Sequence, residues 1–298
     1  MTRREFIRSA GVSVALGAAG CKSSANFRAA ESEGVRFKLG LAGGTYWQLK
    51  DYSFLEEVAS LDLHYLSVKD WHLPFTATDA EIGTFLKRCE DLDISPYAVG
   101  PVYMDTEDMA RRTFDYAAKL GVKTIVGVPF VRRDVNGRSV RFENRGLAEK
   151  VAELCKRHDV RFAIHNHGPD APELFPDAKS MYVVVKDLGP RMGFCLDVGH
   201  EFRFGGDPAA AIRAYPDRIF DVHMKNVTAP SKEGKAAEFP RGKMDIPAIL
   251  LALRDIGFDG VCAIEWERGG KTKEDLPGLA ESVGYFRGAV DALEGMAR

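Results

Sequence analysis

VRFAIHNHGPD, residues 160–170, holds the decision about the fold. An apolar run rich in β-branched and aromatic residues ends in His165 and His167, which flank an asparagine, and Gly168-Pro169 close it. A short apolar run bounded by turn residues reads as a buried strand. Histidine occurs only seven times in 298 residues, so two at the end of one strand ask for a chemical reason.

The same rhythm recurs on both sides. Strand-like runs fall at 37–42, 64–68, 94–100, 123–128, 160–165, 192–197, 218–223 and 261–265. Segments with helical apolar spacing begin near Tyr52, Asp79, Thr106, Asn144, Asp177, Asp207, Asp245 and Pro277. Thr78, Asp105, Asp207 and Asp245 offer N-cap oxygens, and Gly121, Gly189 and Gly257 mark helix ends. Alternating βα units demand parallel strands. Eight of each over about 260 residues predict a single-domain α/β fold, a (β/α)8 TIM barrel over 36–298. An open doubly wound sheet is the competitor. It lacks its glycine-rich turn, because Gly40, Gly43 and Gly44 after the first strand have the wrong spacing.

The N-terminus belongs to another regime. TRREFIRSAGVSVALGAAGC, residues 2–21, puts an arginine pair before a short apolar, small-residue stretch. That is the order of a twin-arginine export signal, too short to span a ~30 Å bilayer. Residues 1–21 are expected to direct export, to the periplasm or to a membrane-anchored lipoprotein form tethered through Cys21. The polar stretch 22–35 reads as a flexible linker. The remaining composition is globular: 45% hydrophobic, 28% charged, net charge −2. No basic surplus calls for nucleic acid. The five cysteines show no C-x-x-C spacing, and Cys89, Cys155, Cys195 and Cys262 read as buried thiols.

Barrel chemistry sits at strand C-terminal ends, and here the late strands carry it. The fifth ends in His165 and His167, the sixth in LDVGH with Asp197 and His200, the seventh in FDVHMKN with Asp221, His223 and Lys225, the eighth in AIEWER with Glu265 and Glu267. Side chains alternate along a strand. His165, Asp197, His223 and Glu265 are therefore each the last inward residue of four consecutive strands. Two imidazoles and two carboxylates make a nitrogen and oxygen shell suited to manganese, zinc, cobalt or ferrous iron.

On these motifs the chain resembles the xylose isomerase-like barrels often called sugar phosphate isomerase/epimerases. The resemblance runs from Phe37 to Leu293 through SVKDWHLP (67–74), IHNHG (164–168), LDVGH (196–200), VHMKN (222–226) and AIE (263–265). It implies one divalent ion, manganese preferred, on a strand-five glutamate and on Asp197, His223 and Glu265. It implies substrate contacts from His167, His200 and Lys225, with Lys69 and His72 on the opposite wall. The family's strand-five glutamate is His165 here. Two-base epimerases use both metal-bound glutamates, and a neutral imidazole on a metal does not readily accept a proton. The resemblance therefore implies a one-base reaction on a carbohydrate, with Glu265 as base and His167 or His200 as acid. Isomerisation of a free keto-sugar and elimination or hydration at a 3-keto-glycoside both stay open, as does the oligomeric state. Two non-sugar-enzyme readings compete. A nuclease of this fold needs further histidines, and AVGPVYM and residues 227–244 supply none. A non-catalytic sugar-binding lipoprotein would keep the cleft without needing Glu265. The segments 129–142 and 227–244 read as long loops, either lids or solvated surface, and Arg132, Arg133, Arg138 and Arg141 as a solvated cluster.

Overall fold

The computed structural model describes residues 37–168 and 174–295. The expected export signal, Cys21 and the linker lie outside the described residues.

In chain order the strands are β1 (Lys38–Ala42), β2 (Tyr65–Val68), β3 (Ser95–Met104), β4 (Thr124–Val135), β5 (Arg138–Glu143), β6 (Arg161–His165), β7 (Met192–Asp197), β8 (Ile219–Met224), β9 (Asn226–Val227), β10 (Ala236–Ala237) and β11 (Val261–Ile264). Eight of them form one parallel ring in the order β3-β2-β1-β11-β8-β7-β6-β4, closed by β3 pairing with β4. The helices are α1 (Leu55–Ser60), α2 (Asp79–Asp91), α3 (Glu107–Leu120), α4 (Arg145–His158), α5 (Ala178–Val185), α6 (Val198–Arg203), α7 (Pro208–Ala214), α8 (Ile246–Asp255) and α9 (Thr272–Gly295). This is the (β/α)8 barrel the alternation predicts.

Strand periodicity sorts the core into two compartments. Phe162 and Ile164, Phe194 and Leu196, Val222 and Met224, and Cys262 and Ile264 point outward into the large apolar layer under the helices. The alternate residues point inward. There the barrel is lined by small side chains, among them Ala98, Ala163, Cys195 and Ala263. Phe220 and the half-buried Tyr97 pack against these small residues, and the last inward position of each late strand is polar.

Several boundaries differ from the sequence reading. Thr106, not Asp105, caps α3, its hydroxyl accepting from the Met109 amide. The first helix starts at Leu55, three residues past Tyr52, and α9 starts at Thr272 with Pro277 inside it. Helix α5 stops at Val185, so Gly189 (φ +88°) shapes the turn into β7 rather than ending a helix. The short α6 directly after β7 was not anticipated. The segment 129–142 is no loop. It continues β4 beyond the barrel and returns as β5, in antiparallel register from Phe130↔Glu143 to Val135↔Arg138. Asn136 and Gly137 turn it with φ of 54° and 75°, the left-handed pair that matches strand twist in two-residue hairpins. Arg132, Arg133 and Arg138 are exposed and Arg141 is half-buried, but they are not merely solvated: Arg132 and Arg141 lie 5.0 and 5.5 Å from the Phe130 ring centre, and Arg141 4.6 Å from that of Tyr103. Segment 227–244 is also pinned. Asn226, fully buried, donates to the Phe239 carbonyl at 2.8 Å and accepts from the Met244 amide at 3.0 Å.

One buried carboxylate ties two helices below the barrel mouth. Glu201 on α6 accepts from the backbone amide of Ala178, the first residue of α5, at 2.8 Å. Burial raises its pKa from 4.5 to about 7; the Ala178 hydrogen bond opposes the rise, while Asp177 and Asp207 add to it. A folded-state pKa above the unfolded one means that protonation of Glu201 favours the fold below about pH 4.5. That contribution, up to about 3 kcal/mol, is lost as the pH rises through 7. Glu201→Gln keeps the acceptor and removes the charge. Thermal melts should show the variant several degrees more stable than wild type at pH 8.5 and level with it near pH 4.5. An equal shift at both pH values would contradict this account.

Candidate functional site

The strand ends bring together the four residues singled out in the sequence. One ligand atom each from His165, Asp197, His223 and Glu265 lies within 4.8 Å of the others. His165 Nε2 and His223 Nδ1 are 3.0 Å apart, and His223 Nδ1 is 3.2 Å from Glu265 Oε2. Asp197 Oδ2 is 3.9 Å from His165 Nε2. All four side chains are buried.

Local folding positions each of them. Asp197 ends β7 and also caps α6: its Oδ1 accepts from the His200 amide at 2.8 Å. That leaves Oδ2 facing the cluster, buried and without a directed hydrogen bond. Asn166, between the two histidines, clamps the same strand end. It donates to the Asp197 carbonyl at 3.0 Å and accepts from the Asp197 amide at 2.7 Å. One layer deeper, buried Asp221 receives the Tyr97 hydroxyl at 3.0 and 3.1 Å, and its Oδ2 lies 4.0 Å from His223 Nε2. Sequence reading missed Asn166 as a functional residue. Its signal was position alone, an amide fixed between two ligand candidates.

Gly44 was likewise unassigned. The short 3-10 turn Gly43–Tyr46 after β1 passes over the eighth barrel strand, and a Cβ on Gly44 would stand 2.4 Å from Glu265 Oε1. Only a hydrogen leaves room for the carboxylate. His72, expected on the substrate wall, is buried instead against Phe54 (ring centres 4.3 Å apart), and its Nε2 contacts the Tyr46 carbonyl at 2.9 Å. It braces that turn. Lys69 is also buried, donating to the Pro101 carbonyl and lying 4.4 Å from the Trp71 ring centre. Burial lowers its pKa, against the pull of Asp70 and Glu265.

A second group sits toward solvent. His167, His200 and Glu267 offer ligand atoms within 4.8 Å of one another, and the His167 and His200 ring centres are 4.4 Å apart. His200 Nε2 is 3.3 Å from Glu267 Oε1. Between the two groups stands Lys225, its ammonium 3.0 Å from Asp197 Oδ2, 3.2 Å from Glu265 Oε2 and 2.9 Å from Glu267 Oε1. Lys225, expected against substrate, faces these carboxylates.

The electrostatics follow. Burial, and then His223, hold the His165 pKa well below its ordinary value, so its ring is neutral and free to donate a lone pair. Burial and His200 lower His167 to about 4. Burial pushes Asp197 up, against His200 and Lys225. Burial also pushes Glu265 up, but Lys225 and His223 outweigh it and hold the carboxyl well below its usual range. Three carboxylates around one ammonium leave an acidic excess, and although burial pulls the His223 pKa down, Glu265 and Asp221 outweigh it and raise it. A divalent cation neutralises that excess, and Asp197 Oδ2, which has the Lys225 ammonium as an ion-pair partner but no directed hydrogen bond, gives it an anchor. The donors present therefore fit such an ion.

Fold and site define a single-domain (β/α)8 barrel with a cation-compatible cluster at its strand C-termini. The sequence profile of the xylose isomerase-like TIM barrel family matches residues 55–288, and the chain belongs to that family. Mannonate dehydratase of Brachyspira hyodysenteriae is 27% identical over 176 residues, 53% of this chain and 49% of that protein. Mannonate dehydratase of Enterococcus faecalis is 25% identical over 173 residues, 50% of this chain and 46% of that protein. The chain thus spans about half the length of the curated relatives it matches. Among solved structures, D-psicose 3-epimerase with D-tagatose from Clostridium cellulolyticum H10 superposes with a TM-score of 0.65 at 18% identity, covering 86% of this chain and 100% of that one. L-ribulose 3-epimerase gives 0.65 at 16% identity, covering 88% and 96%. At such identities the likeness is one of fold.

Gly44→Ala tests how the site is held. The added methyl displaces Glu265, and divalent-cation affinity should fall by about 10–100-fold, as when a group supporting a ligand is lost. Equilibrium dialysis against manganese would measure it. Unchanged affinity in a folded variant would mean that Glu265 has no fixed place in the cluster.

Proposed function

We propose that the protein is a divalent-metal-dependent enzyme of carbohydrate metabolism that enolises a non-phosphorylated keto-sugar. The observation that carries this reading is the convergence of His165, Asp197, His223 and Glu265 from four consecutive barrel strands. These four residues would hold the ion, manganese preferred and zinc, cobalt or iron able to replace it. Bound there, the ion would polarise a substrate carbonyl and so acidify the neighbouring C–H.

The chain's own groups would do the rest. Glu265 Oε2 lies toward His223 and Lys225. Oε1, beside Gly44, is the oxygen left to take the proton alpha to the carbonyl. His167 and His200, at the cluster's outer side, would orient the sugar hydroxyls and return or deliver a proton. Lys69 and the turn braced by His72 would form the opposite wall. His165 matters by what it withholds. In place of a carboxylate it gives the reaction a single strong base on the ion side, which suits proton shuttling or elimination better than two-base inversion. Elimination, for instance from a 3-keto-glycoside, is a second reading. The two relatives named mannonate dehydratase support it, since their name denotes loss of water from a sugar acid.

With the ion bound, wild-type protein in deuterium oxide should exchange the proton alpha to the carbonyl of a free keto-sugar or a 3-keto-glycoside, read by mass. Glu265→Gln should slow that exchange by about 10²–10⁴-fold. Rapid epimerisation of a sugar phosphate, with no exchange on any keto-sugar, would sink the reading.

The preference for a non-phosphorylated substrate rests on export, which residues 2–21 motivate. Phosphorylated sugars are held inside the cell, so an exported enzyme meets free sugars or glycosides. Changing Arg3 and Arg4 together to lysine should retain the protein in the cytoplasm, measured by fractionation. Normal export of that variant would exclude the twin-arginine route.

A further inference from the structure

Lys225 holds an uncommon position. Its side chain is 1% exposed, and its ammonium is ringed by Asp197 Oδ2, Glu265 Oε2 and Glu267 Oε1 at 3.0, 3.2 and 2.9 Å, with His200 Nε2 at 3.2 Å. An ammonium has three hydrogens to donate, and four acceptors surround this one. Three carboxylate oxygens and an imidazole nitrogen are instead the donor set of a hard or borderline divalent ion. Two of those oxygens, on Asp197 and Glu265, also belong to the four-residue cluster. In two-metal sites, cations about 3.5–4 Å apart share bridging oxygens in the same way. The stem is accommodated deliberately: a Cβ on Gly199 would stand 2.1 Å from Lys225 Cγ, so the bare glycine opens the channel along which the lysine reaches the cluster.

We propose that the Lys225 ammonium fills a second cation site, and that removing it lets a second divalent ion bind through His167, His200 and Glu267 with Asp197 shared. The inference rests on the single-ion reading of the four-residue cluster and adds to it. His167, His200 and Glu267 offer ligand atoms within 4.8 Å of one another, so the outer donors already stand close enough to meet on one ion. The driving force is charge. Without Lys225 the buried carboxylates of Asp197 and Glu265, and the more exposed one of Glu267, lose the ammonium that stands 2.9–3.2 Å from them, and unpaired buried charge is strongly destabilising. A second ion restores the balance, and by mass action it stabilises whichever state binds it. Lys225 is then a positioning residue. It orients Asp197, Glu265 and Glu267 and fixes the number of ions at one.

The test is ion stoichiometry in the full chain. Lys225→Met preserves the length and apolar stem and removes the charge. After dialysis against manganese, metal analysis should give one ion per chain for wild type and for Lys225→Arg, and two for Lys225→Met. The Lys225→Met protein should also show the electron-paramagnetic signature of a spin-coupled manganese pair. Adding His200→Ala and Glu267→Gln to Lys225→Met should return the count to one. One ion in folded Lys225→Met would overturn the proposal. No ion in wild type would instead overturn the single-ion reading beneath it. If Lys225→Met does not fold without metal, refolding in manganese should recover it with two ions bound; failure to recover would equally overturn the proposal.

Discussion

The site turns on how Asp197 divides its two oxygens. Oδ1 closes the turn from β7 into α6 by capping the His200 amide, and Oδ2 is left buried without a directed hydrogen bond. A carboxylate in that state demands a positive neighbour. The demand draws in Lys225 at 3.0 Å and makes the space among His165, His223 and Glu265 favourable for a cation. The same capping bond starts α6 and thereby sets His200 and Glu201. One residue thus couples backbone geometry, helix initiation and the charge of the cleft. Asn166 locks the coupling by exchanging two hydrogen bonds with the Asp197 backbone.

The barrel explains why these groups can share one place. Small inward residues such as Ala98, Ala163, Cys195 and Ala263 leave room inside the ring for Phe220 and Tyr97 as well as for the polar strand ends. Outward residues supply the apolar layer that holds the helices. Stability and chemistry are therefore carried by alternate residues of the same strands. Below the cluster, Tyr97 and Asp221 extend the polar layer by one further step beneath His223.

Much of this was legible in the sequence, for reasons that differ residue by residue. The barrel followed from strict alternation of strand and helix patterns. The quartet followed from period-two alternation applied to strand ends, where a one-residue error would have turned every side chain to the wrong compartment. The β4–β5 hairpin was missed because its arginines read as solvent-facing loop, although the Asn136-Gly137 pair carried a hairpin signal. Asp105 and Thr106 are both good caps, and only backbone geometry decides between them. Gly44, Asn166 and the bracing role of His72 were beyond reach. Each acts on a residue distant in sequence, and its meaning exists only once the ring closes.

Gly199 and Lys225 stand 26 positions apart, yet the glycine is defined by the lysine's stem. A side chain at 199 and the lysine stem at 225 exclude one another, because they would occupy the same space. The two positions therefore behave as one unit of sequence: a designer grafting this cluster onto another barrel must transplant both residues or neither.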